Sequence, residues 1–73
     1  MIGAELNIQM SLEDRDAIDR MTAVLTDMGL YVDGKTEVGI YWITTNFENR
    51  DDAYAFSDSI RGQVISVDVK SWL

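Results

Sequence analysis

Seventy-three residues, 47% of them hydrophobic, predict one small folded domain rather than a disordered tail. A chain this short buries only ~60% of the surface it exposes when unfolded, so a partner would add stability. Thirteen acids against six bases leave a net charge of −7, which disfavours phosphate backbones and anionic membrane surfaces and favours a basic protein surface as partner. Cysteine and histidine are both absent, which removes disulfides, thiolate metal sites and the usual general base near neutral pH.

The segment AELNIQM alternates, with Ala4, Leu6, Ile8 and Met10 on one side and Glu5, Asn7 and Gln9 on the other. That is the pattern of a half-buried strand. Ser11, with Asp14 three residues on, predicts a capping box that opens a helix. Ala17, Ile18, Met21, Val24, Leu25 and Met28 form its buried stripe, and Gly29 stands at the C′ position. LYV and VGIYWITTNF read as two strands. A five-residue loop over 33–37 sets Val32 against Val38 and Leu30 against Ile40, a better apolar match than a two-residue Asp33-Gly34 turn offers. Asn49 caps a second helix with Ala53, Phe56 and Ile60 inward and Gly62 at its end. QVISVDVKSWL alternates again, with Ile65, Val67 and Val69 inward. The order βαββαβ predicts an α+β, ferredoxin-like sandwich: a four-stranded antiparallel sheet in the order 4-1-3-2, with both helices on one face.

Two surfaces stand out. Residues 13–27 and 48–61 together hold nine acids and four bases, so the helical layer carries most of the negative charge. Asp16 and Asp19 fall on the outer face of the first helix, and Asp51, Tyr54 and Asp58 on that of the second. Asp16 and Arg20 are spaced i,i+4 as an exposed pair. A tyrosine among carboxylates suits an interface anchor. Much of this acidity also has an ordinary explanation, because first-turn acids favour the helix dipole and outer charges keep a small protein soluble. The second surface is the open sheet face. With the five-residue loop, Tyr31, Tyr41 and Ile43 point away from the helices, joined by Phe47 and Trp72, and would pair two copies or grip the same partner. A one-residue slip in the third strand would instead bury Tyr41 and Ile43 and expose Ile40 and Trp42.

Signals for chemistry are sparse. No Gly-rich phosphate loop or nucleophile elbow is present. ENRDD, residues 48–52, is rich in oxygens but lacks the alternating spacing and central glycine of a calcium loop. The expectation is a protein without catalytic residues, cofactor or metal. No apolar run nears the ~18 residues of a membrane span, and no basic-then-apolar leader opens the chain, so the expected location is cytoplasmic.

LEDRDAIDRMTAVLTDMGLYV resembles the first loop, helix and second strand of ACT-type regulatory domains, and IRGQVISVDV their closing helix turn and last strand. That resemblance implies dimerisation and amino-acid binding at the loop after the first strand, through an acid closely followed by glycine. Residues 14–17 read DRDA, without the glycine. At the level of class, a short, acidic, cysteine-free chain also resembles phage-encoded inhibitors of the anti-CRISPR kind. That resemblance implies a host-cytoplasmic protein that blocks an effector complex by occupying its nucleic-acid channel or a subunit interface. The leading expectation is therefore a non-catalytic, acidic interaction protein that binds a basic surface, as an inhibitor or nucleic-acid mimic. The alternative is an ACT-like regulatory domain that dimerises and senses a small metabolite.

Overall fold

The computed structural model describes residues 3–71. The elements follow as β1 (Ala4–Ser11), α1 (Arg15–Asp27), β2 (Val32–Glu37), β3 (Ile40–Phe47), α2 (Arg50–Ile60), a 3₁₀ turn (Arg61–Gln63) and β4 (Ser66–Ser71). The four strands form one antiparallel sheet in the order β2-β3-β1-β4, the expected βαββαβ arrangement.

The central strand β1 carries the core. Ala4, Leu6, Ile8 and Met10 are buried, and every second residue between them faces the opposite side. Against this row pack Ile18, Met21 and Leu25 of α1, Ala53 and Ile60 of α2, Ile43 and Phe47 of β3, and Val67 of β4. Both helices therefore bury their stripes against the same sheet face. Ser57, fully buried on α2, presents only a small side chain where the helix meets the sheet.

The caps follow local chemistry. Asp14, not Ser11, caps α1: its Oδ1 accepts from the Ala17 amide at 3.1 Å. Ser11 is still the last residue of β1, paired with Ile40, and it is the Ser11 carbonyl that accepts from the Asp14 amide at 3.1 Å. The expected capping box is thus replaced by a tight turn followed by an aspartate cap. At the other end Gly29 adopts φ +79, its amide bonds to Thr26 O, and Leu30 N bonds to Leu25 O, the Schellman pattern. Asn49 caps α2, its Oδ1 accepting from the Asp51 and Asp52 amides. Gly62 lies inside the 3₁₀ turn instead of stopping the helix in a left-handed conformation.

The hairpin departs from expectation. Its turn is Val38-Gly39, with φ 54 and 74, and residues 33–37 belong to β2. Both central residues have positive φ, as a two-residue type I′ turn requires. The register pairs Glu37 with Ile40, Gly34 with Ile43 and Val32 with Thr45. This reverses the expected face of β3. Ile43 is fully buried and Tyr41 is half-buried against the core, while Ile40 and Trp42 alternate with them onto the open face. Phe47, expected on the open face, is also buried, as is Thr45. Nothing in VDGKTE alternates, so the apolar pattern could not fix the register, and a β-branched residue at positive φ gives no turn signal. In β4, Val67 and Val69 pack inward as expected, but Ile65 is exposed ahead of the strand, its amide bonded to Gln9 O at 2.8 Å. Trp72 lies outside the described residues.

Candidate functional site

Asp16, Asp19, Asp51 and Asp58 are all exposed, and Tyr54 is about half exposed. They do not form one patch. At 100° per residue, Asp19 is turned by about 100° from buried Ile18, onto the flank of α1 away from α2. Tyr54, the residue after buried Ala53, is likewise turned onto the flank of α2 away from α1. Asp16, Asp51 and Asp58 remain on the outer crown. The first turn of α1 and the last turn of α2 lie at the same end of the sheet, since Asp14 and Ala17 share a depression with Ile60 and Gln63. Asp16 and Asp58 are therefore at one end of the layer and Asp51 is at the other.

The crown is loosely tied. The ion pairs among the described residues are Lys35–Glu37 at 3.2 Å and Arg61–Asp58 at 3.5 Å, both solvent-exposed. The expected Asp16–Arg20 pair is not closed, leaving both side chains open to a partner. Exposed pairs of this kind contribute little to stability, and their charges remain available for longer-range attraction.

Of Tyr31, Tyr41 and Ile43, all expected on the open sheet face, Tyr31 alone is exposed, at 74%. It precedes β2, where its carbonyl accepts from the buried Thr45 hydroxyl at 2.6 Å. Tyr41 and Ile43 are turned toward the helices by the hairpin register. The open face is instead polar. Asn7 bridges Glu5 and Thr44 through hydrogen bonds of 3.0 Å, and Trp42 lies in the row formed with Gln9 and Lys35. The indole N–H of Trp42 is buried without an acceptor.

Sequence reasoning missed the groove between the helices. Met10, Ala17, Met21, Val24, Phe56 and Ile60 line a depression of about 430 Å³, with Asp14, Arg20 and Gln63 at its rim. Beyond Phe56 it meets a shallower one of about 990 Å³ that takes in Met28, Tyr31, Phe47, Glu48 and Asp52. Val24 and Met28, read as buried stripe residues, are 46% and 48% exposed along it. The signal was present in the stripe itself: six apolar positions cover a wider arc than a sheet below one helix can bury.

Among the described residues no three Asp or Glu side chains gather as a metal site, and no helix is long and apolar enough to cross a membrane. Within ENRDD, the Asn49 side-chain oxygen already accepts from two backbone amides. Comparison with protein-family models, curated proteins and solved structures finds no match to this chain.

Proposed function

We propose that the chain is a non-catalytic interaction protein whose helical layer binds a basic surface on a larger protein, in the manner of an inhibitor that imitates nucleic acid. The observation that carries this reading is the charge distribution. Residues 13–27 and 48–61, the helices with the turns that lead into them, hold nine acids and four bases, whereas the rest of the chain holds four acids and two bases. Asp16, Asp51 and Asp58 crown that layer, with Asp19 and Tyr54 on its flanks. Carboxylates spread along two neighbouring helices present a row of negative charge to a protein built to hold phosphates.

The test is competition. A basic nucleic-acid-binding domain that takes up this protein should release duplex DNA, and the complex should weaken steeply between low and moderate salt. Asp16→Lys combined with Asp58→Lys should weaken binding by at least about tenfold, whereas Asp33→Asn and Asp68→Asn on the sheet should change it by less than about twofold. Salt-insensitive binding that leaves DNA in place would overturn the reading.

One observation favours the regulatory alternative. A pocket of about 280 Å³ lies beside the loop after β1, between Ser11, Asp14 and residues 62–65. A rise in melting temperature with an amino acid would support metabolite binding there.

A further inference from the structure

The groove between α1 and α2 differs from the rest of the helical layer. Its walls are apolar: Val24 and Met28 are about half exposed along it and Phe56 partly so, over a floor formed by the core residues Met10 and Met21. Methionine is unbranched and polarisable, so Met28 on the wall can adapt to apolar side chains of varied shape. Val24 and Met28 occupy core-type positions of an amphipathic helix and yet are about half exposed. The rim is acidic at both ends, with Asp14 at one and Glu48 and Asp52 at the other. Among the described residues Arg20 is the one base lining it, near the middle.

From this combination we infer that the groove seats an amphipathic helix of the partner, apolar toward Val24, Met28 and Phe56 and rich in lysine or arginine toward its ends. The inference rests on the acidic-layer reading above and deepens it, by naming the element of the partner that docks. Charge complementarity selects the occupant. An apolar strip alone would accept any greasy helix, and a carboxylate crown alone any cation. An apolar trough between acidic ends discriminates for a segment that has both features in helical register. The dimensions agree, since the 13 residues of α1 span about 20 Å, room for a ligand helix of about four turns. Arg20 sets the charge pattern of the occupant, which carries its cations toward its two ends and leaves a small or acidic residue at the centre. A second copy of this chain is a poor occupant, because its helical layer would bring like charge against like.

The test uses two synthetic peptides of about fourteen residues with the same leucine and lysine content, one with leucines at helical spacing and one shuffled to remove it. The intact protein should bind the amphipathic peptide one to one, at least about tenfold more tightly than the shuffled one. Methyl NMR should show Met21 and Met28 shifting on binding while Ile40, on the open sheet face, stays in place. Val24→Glu with Met28→Glu makes the layer more acidic and should nevertheless cost at least about tenfold in affinity, with the fold checked by circular dichroism. Equal binding of the two peptides, or unmoved methionine methyls, overturns the groove inference and leaves the charge-based reading standing. Failure of both peptides to bind at low salt overturns the two together.

Discussion

β1 and the β2–β3 hairpin belong to one sheet, but different things hold them in place. β1 lies between β3 and β4 and buries Ala4, Leu6, Ile8 and Met10 under both helices. β2 is an edge strand, exposed from Asp33 to Glu37, and its position depends on ladder hydrogen bonds to β3 and on a turn that holds a valine at positive φ. Packing specifies the first region; backbone geometry specifies the second. Substitutions should therefore act with opposite sign in the two.

The largest effect belongs to β1. Leu6 is fully buried, and Leu6→Ala should cost about 2.7–5 kcal/mol, the range for buried leucines truncated to alanine. A chain of 73 residues has about 4–11 kcal/mol of total stability, so this variant should lose most of its cooperative urea transition. A shift below about 1 kcal/mol would mean that the core is looser than its burial implies.

The opposite sign is expected at the hairpin tip. Val38 is 92% exposed and makes no packing to offset its left-handed backbone. Val38→Asn creates the Asn-Gly pair favoured in a type I′ turn and should stabilise by about 1 kcal/mol, or about 4–8 °C in melting temperature. A fall in melting temperature would show that the turn is not held at positive φ.

The same contrast explains how much of the molecule was legible in its sequence. β1, the Ile18, Met21 and Leu25 part of the α1 stripe, Gly29 as C′ residue and Asn49 as cap are all statements of apolar period or capping chemistry, and the structure has them. The hairpin register was not legible, since VDGKTE has no alternation and the actual turn begins with valine. Asp33-Gly34, a turn-like dipeptide, lies within a strand. That single error moved Ile43 and Tyr41 from one face to the other, because side chains alternate with a period of two. The outward acids could be read from the helical period, and the width of the α1 stripe marked an apolar flank on that helix, but the groove that this flank forms with α2 could not be read. Its existence depends on how far apart two helices settle over one sheet, which no local pattern encodes.

Gly34 gives the smallest effect and the sharpest test of the register. It pairs with Ile43, and the Tyr41 ring crosses directly over it. A methyl group built at Gly34 would lie 2.7 Å from Tyr41 Cζ, closer than real contacts allow. The obstacle is the tip of a flexible side chain, so Gly34→Ala should be met by rotation of Tyr41 rather than by loss of the hairpin. Leaving the ring's packing against the core and gaining strand propensity roughly cancel, for a net change within about 1 kcal/mol. The readout is therefore the Tyr41 ring resonances, which should move strongly, and Tyr41→Ala in the same chain should abolish any remaining cost. If Gly34→Ala leaves Tyr41 unperturbed, the ring does not lie over Gly34, and the pairing of Gly34 with Ile43 that turns Ile43 into the core would have to be abandoned with it.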